Sequence, residues 1–234
     1  VDASNQLILK ANVLQAIHAA LGAHLGNAGL QMSAFAALTA HSSSSAHRFR
    51  IVNSGCAQDV VKGLTEHLSN KEVQVSGCRA LSKLAAETAT CSSIAVAGGV
   101  EAVVAALSAH RNDVDVQFQG CFSLRNIAGC TSTHARIAEA GGVKAIVAAL
   151  STHREGPMTA DIRTYGYYLL GRLCTTVTSQ APIVQAGIVE DVLETLPLRL
   201  SDAGVQQSGC VLLATLADNP KHHASMTKAG GVGA

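Results

Sequence analysis

An all-α fold, built as a linear stack of similar helical units, is what this 234-residue chain predicts. Three observations predict it. Gly55, Gly98, Gly141, Gly187 and Gly230 recur at steps of 43, 43, 46 and 43 residues, and a period in this range marks a helical solenoid whose units each rest on their neighbours. Hydrophobic residues make up 48% of the chain but aromatics only 3%, with no Trp. The core must therefore be filled by Ala, Val, Leu, Ile, Gly and Cys, small residues that suit helices whose axes approach to roughly 8–10 Å. The third observation is that no segment alternates polar and apolar residues over a useful strand length.

The period divides residues 1–234, read as one domain, into five units at 12–54, 55–97, 98–140, 141–186 and 187–229, with partial repeats at 1–11 and 230–234. The first unit is degenerate and opens with the apolar segment Val13–Leu21; its polar run Ser42–Ser45 reads as a loop. The unit from Gly98 is the clearest. After Gly98-Gly99, Val100–Leu107 reads as a short helix, and His110–Asp115 as a polar turn with Asp113 or Asp115 free to cap the next helix. That longer helix is expected over about Val116–Ala128, burying Val116, Gly120, Leu124 and Ile127 at helical spacing. A third short helix over about His134–Ala140 ends at Gly141, a natural stop. Gly120 and Leu124 become Gly77 and Leu81 one unit earlier, and Gly166 and Leu170, then Gly209 and Leu213, in later units. Pro157 falls in the three-residue insertion of the fourth unit, Pro182 and Pro220 at the start of third helices, and Pro197 near a helix end. Both ends read as cut from a longer array, and an uncapped apolar end predicts aggregation of the isolated chain.

Charge and cysteine usage narrow the function classes. A net charge of +1 gives no uniform field to gather nucleic acid or a membrane. The most apolar stretch, Ile94–Leu107, is interrupted by Gly98, Gly99 and Glu101 and is too short to span a bilayer, which takes about 20 apolar residues. Of seven cysteines, Cys78, Cys121 and Cys210 occupy one repeat position that elsewhere holds Phe35 and Tyr167. That is a packing slot, so the cysteines read as buried, reduced thiols of a cytosolic or nuclear protein. His24, His67, His110 and His153 each stand 43 residues apart. Equivalent positions lie about 10 Å apart in stacked helices, too far to share a zinc ion, so these histidines read as structural, each near the negative end of a helix. Phosphate-loop, nucleophile-elbow and zinc-protease motifs are all missing. No enzyme activity, metal or cofactor is expected.

At this level the residues resemble the armadillo-repeat family. Ile137–Leu150 is similar to that family's short helix, glycine and middle helix, and Leu124-Arg125-Asn126-Ile127-Ala128 to the end of its long helix; HEAT-type solenoids are the nearest alternative. The resemblance implies a right-handed superhelix whose long third helices line a concave groove. In the family's nuclear-import adaptors an Asn, and a Trp one turn earlier, hold an extended peptide by its backbone. Here Asn126 alone keeps the Asn position, replaced elsewhere by Ala40, Lys83, Arg172 and Thr215. The Trp position holds Ala36, Arg79, Phe122, Tyr168 and Val211. The regular ladder is absent, which argues against classical nuclear-signal binding.

The expected groove face carries Gln119, Phe122 and Asn126 on one long helix, Ser76, Arg79 and Lys83 before it, and Tyr165, Tyr168 and Arg172 after it. Aromatics beside arginines are what binding hot spots prefer. The expected partner is a protein or peptide segment, extended or helical and acidic or phosphorylated. Arg79, Lys83 and Arg172 would meet its anions, Phe122, Tyr165 and Tyr168 would supply flat contact area, and Asn126 would pair with its backbone. Two other readings stay open: a structural subunit of a larger assembly with contacts through its ends, and a regulatory arm of a larger enzyme. The tyrosines would then be partly buried between units, with the basic groups only solvating the face.

Overall fold

The computed structural model describes residues 3–156, 158–174, 177–228 and 230; Pro157 and the end segments 1–2 and 231–234 lie outside the described residues. The chain opens with α1 (Ala3–Ala23), α2 (Ala28–His41) and α3 (Ser45–Asn53), followed by α4 (Cys56–Glu66), α5 (Lys71–Leu84) and α6 (Thr88–Val96). Then come α7 (Gly99–Ala109), α8 (Val114–Ile127), a 3-10 turn (Thr131–Thr133) and α9 (His134–Glu139). The rest comprises α10 (Gly142–Thr152), α11 (Thr159–Leu173), α12 (Val177–Gln185), α13 (Ile188–Leu198), α14 (Ala203–Ala217), a second 3-10 turn (Pro220–His222) and α15 (His223–Lys228). No strand occurs among the described residues. The fold is all-helical, as the missing alternation predicts.

The recurrent glycines do local work. Gly55, Gly98, Gly141 and Gly187 take φ of 89°, 91°, 84° and 75° and start α4, α7, α10 and α13, a left-handed conformation that costs an L-residue roughly 1–2 kcal/mol. Asn27, Asn70 and Asp113 cap α2, α5 and α8 by accepting backbone N–H groups two or three residues on. The insertion breaks this series: Met158 precedes α11 at φ 61°, with no side-chain cap. Gly77 and Gly120 permit close packing, since a Cβ on either would lie 2.5 Å from Leu64 or Leu107 of the helix before it.

Long helices pack on one another in the order α2, α5, α8, α11, α14. Their cross-helix bonds join residues 43 to 45 apart: Ser123 Oγ to Cys78 O, Asn126 Nδ2 to Ser82 O, and Arg172 Nη2 to Gly129 O. The helices therefore run parallel and in step. Core side chains such as Leu81, Leu124 and Leu170 are fully buried, and each such burial stabilises by about 1.5–3 kcal/mol.

Two polar ladders run through the packing. Gln31, Gln74, Gln117 and Gln206 each donate from Nε2 to two carbonyls at the end of the preceding helix; for Gln117 these are Leu107 O at 2.8 Å and His110 O at 2.9 Å. The glutamines repeat with the period of the glycines, a signal visible in the sequence. The second ladder is made of histidines. Nε2 of His67, His110 and His153 meets the carbonyls of Leu25, Leu68 and Arg111, one period back, at 2.7, 2.7 and 2.9 Å. These imidazoles serve the preceding turn and not merely their own helix end.

Several expectations need correction. The long helix begins at Val114, because Asp113 takes the cap. The third helix of that stretch splits into a 3-10 turn and α9, since Thr133 Oγ1 donates back to Ile127 O and Cys130 O and tightens the chain there. Pro182 lies inside α12, which starts at Val177; Pro220 does open its 3-10 turn. Pro197 lies near a helix end as expected, one residue before the end of α13. Cys210 is exposed, unlike Cys78 and Cys121, because no long helix follows α14 among the described residues. Cys130 is half-buried in a turn. Burial pushes the Cys78, Cys121 and Cys174 thiols up to about 12. No single helix among the described residues is long and apolar enough to cross a membrane, and the apolar pair α6 and α7 is bent by 73° at the Gly98 turn.

Candidate interaction surface

Three parallel helices, α8, α11 and α14, present the most chemically distinctive face. On α8, Phe118 and Phe122 are one turn apart and stack with ring centroids 6.5 Å apart. Tyr165 of α11 closes on both, 5.9 Å from Phe118 and 4.9 Å from Phe122. Arg125 lays its guanidinium over Tyr168 at 4.9 Å and over Tyr165 at 6.0 Å, within the reach of a cation–π attraction. Burial raises the Tyr165 phenol, helped by the Asp161 carboxylate on the same helix. A hollow of about 250 Å³ opens beside Tyr168 and is floored by α14 at Gly204, Ser208 and Val211. Gly204 lets α14 lie close to α11, since a Cβ there would come to 3.0 Å from Thr164 Oγ1.

The residues expected on this face are placed as follows. Phe122, Tyr165 and Tyr168 are half-buried and brought together. Arg79 and Lys83 on α5 are exposed. Arg172 is half-buried and reaches the carbonyl of Gly129. Gln119 is buried, with 8% of its surface exposed. Asn126 turns inward: its Nδ2 donates to Ser82 O and its Oδ1 accepts from Arg125 Nη1, both at 2.9 Å. Its amide braces Arg125 instead of lying open to a ligand backbone. Phe118 and Arg125 are the residues that repeat-position reasoning missed. Both lie off the stripe of positions 119, 122 and 126, but Phe118 stands four residues before Phe122 and Arg125 three after it, the spacings that put side chains together on a helix.

A second polar cluster lies inside the packing at the insertion. Arg163 occupies the glutamine-ladder position of its unit and departs from the ladder. Its Nη1 donates to Asp191 Oδ2 at 2.8 Å and to Tyr167 Oη at 2.7 Å, and Tyr167 in turn donates to Asp191 Oδ2 at 2.6 Å. Burial and then the bond to Asp191 raise the Tyr167 phenol far above its ordinary value. Elsewhere, Cys130 Sγ contacts the hydroxyls of Ser132 at 3.0 Å and Ser92 at 3.4 Å, which lower its pKa. No three His, Cys, Asp or Glu side chains converge on a common point among the described residues.

No family model matches the chain, and no curated relative does. Solved structures do. One engineered protein from the Northeast Structural Genomics Consortium superposes with a TM-score of 0.79 at 27% identity, over 93% of this chain and 85% of that one. A second engineered protein from the same source gives a TM-score of 0.74 at 29% identity, over 86% of this chain and 48% of the other. The likeness is one of all-helical architecture over nearly the whole chain.

Proposed function

We propose that this chain is an armadillo-like, right-handed α-solenoid of five three-helix units that acts as a non-enzymatic interaction scaffold in a reducing compartment. It would hold an extended or helical protein segment across α5, α8 and α11. The parallel, in-step long helices and the recurring glycine, glutamine and histidine positions support the repeat reading. The observation that carries the binding reading is the joined cluster of Phe118, Phe122, Tyr165, Tyr168 and Arg125 beside an open hollow. Surface aromatics stacked with arginine concentrate binding energy in few residues. Arg79 and Lys83 add exposed positive charge along the same face, so affinity should fall as salt rises.

The test is capture of partners from source cells, with mass spectrometry, by the parent chain and by an Arg79→Ala, Tyr168→Ala, Arg172→Ala variant. Partners lost only with the variant support the groove. An unchanged partner set overturns it. A second reading, an assembly subunit with contacts through its end, draws on Leu198 and Leu200, which are 81% and 77% exposed near the start of α14. Under that reading, Leu198→Ser with Leu200→Ser removes partners that the groove variant keeps.

A further inference from the structure

We infer that the hollow between α8, α11 and α14 takes one bulky apolar side chain from an acidic protein segment, whose carboxylate is gripped by Arg125. The inference rests on the groove reading above and names the chemistry of its occupant. Size comes first. At about 250 Å³ the hollow is smaller than the ~300–1,000 Å³ of small-molecule sites, and suits a single side chain. Its lining is mostly apolar: the rings of Tyr165 and Tyr168, the Cα of Gly204, and Val211, which is 53% exposed on α14.

Arg125 supplies the second half. Arg125 is half-buried on the lip of the hollow, its guanidinium 4.9 Å over the Tyr168 ring and held by the Oδ1 of Asn126, whose amide is fixed in turn by Ser82 O. It has no carboxylate partner among the described residues. The acids on these two helices, Asp115 and Asp161, sit in their first turns; Asp115 is ten residues before Arg125, about 15 Å along the helix. A partly desolvated guanidinium without an anion is costly, and its remaining N–H fork matches a carboxylate. Contact with the Tyr168 ring and the bond to Asn126 hold that fork beside the hollow, whose lining includes Arg125. An acidic residue within two or three positions of a Leu, Ile, Phe or Trp in the partner would satisfy both features at once. Single-stranded nucleic acid also stacks on aromatics, but needs a run of positive charge, and the chain as a whole carries a net charge of only +1.

The experiment is selection of a random 12-residue peptide display library on the whole chain. The winners are then titrated by fluorescence polarisation, with a 12-nucleotide oligothymidylate as comparator. Binding is measured to the parent, to Arg125→Gln, to Val211→Trp, which plugs the hollow from an exposed position, and to the Arg79, Tyr168, Arg172 triple variant. Circular dichroism checks that each variant is folded. We expect winners that pair Asp or Glu with a large apolar residue, weakened about tenfold to a hundredfold by Arg125→Gln and by Val211→Trp. Winners lost in the triple variant but indifferent to Arg125→Gln or Val211→Trp overturn this inference and leave the groove reading standing. Winners indifferent to all three, or none at all, overturn both. Oligothymidylate binding that depends on Arg125 overturns the acidic-segment inference.

Discussion

Replacing Gln117 with Met tests whether the glutamine ladder holds the helices together. Met keeps the length and most of the volume of Gln, so no cavity opens, but it has no N–H to donate. Gln117 is 1% exposed and bonds two carbonyls. His110 O keeps a second donor, the Asp113 amide at 3.1 Å, so its loss is an ordinary hydrogen bond of about 1 kcal/mol. Leu107 O lies two residues from the end of α7, where the helix's own amides run out. Leaving that buried acceptor bare costs a further ~1–3 kcal/mol. The sum, about 2–4 kcal/mol, should lower the thermal midpoint by roughly 5–15 °C in a chain of this size. Thermal unfolding followed by circular dichroism reads the effect, and hydrogen exchange should place new opening at the end of α7. The same substitution at exposed Gln207 is the control. A Gln117→Met midpoint within a degree of the parent would refute the reasoning, because the ladder would then be decoration.

Asp191→Asn should destabilise by about 3–5 kcal/mol, as it leaves the Arg163 guanidinium, 5% exposed, without its counter-charge; an unchanged urea midpoint contradicts this. Burial works against the Asp113 carboxylate, but the Val116 amide, Lys71 and the Asp115 amide together hold its pKa below the usual range. Its charge-dependent stabilisation is thus present above the unfolded pKa of about 3.9 and lost as pH falls through the lower folded value. The stability gap between parent and Asp113→Asn, measured by denaturation at pH 7, should shrink below about pH 4; a gap that widens in acid has the wrong sign. Iodoacetamide at neutral pH should label Cys130 and exposed Cys210 well before Cys78, Cys121 and Cys174, by peptide mass spectrometry. Equal rates at Cys78 and Cys130 contradict the burial assignment.

The helical class was legible because periodic glycines, spacing of Leu and the lack of alternation all point one way. Helix ends were less so. The start of α8 lies two residues before the expected Val116 because Asp113 takes the cap, and the stretch after it opens as a 3-10 turn because Thr133 reaches back to Ile127, choices that propensity does not encode. The aromatic patch was half legible. Equivalent positions pointed to Phe122, Tyr165 and Tyr168, but repeat alignment compares one unit with another and is blind to contacts diagonal to the stripe, where Phe118 and Arg125 lie. Asn126 illustrates the opposite limit. Its residue type suggested an open amide, and only the position of Ser82 on the neighbouring helix shows that amide engaged. Arg163 was invisible for a related reason: its partner Asp191 is 28 residues further along the chain, on α13.

The histidine rungs make the chain's blocks interchangeable. Each imidazole needs only a carbonyl one period behind it, and backbone carbonyls are the same whichever residue bears them. Excising residues 56–98 would join one left-handed glycine turn to the start of α7, bring His110 opposite Leu25 O in place of His67, and set Gln117 where Gln74 had been. Duplication or loss of a whole block would thus leave donors and acceptors matched, whereas a gain of one or two residues between a histidine and the carbonyl one period behind it would throw that rung out of step. The one change of length in this chain falls just after His153, past its bond to Arg111 O, where the rung already made is spared and only the next unit must adapt.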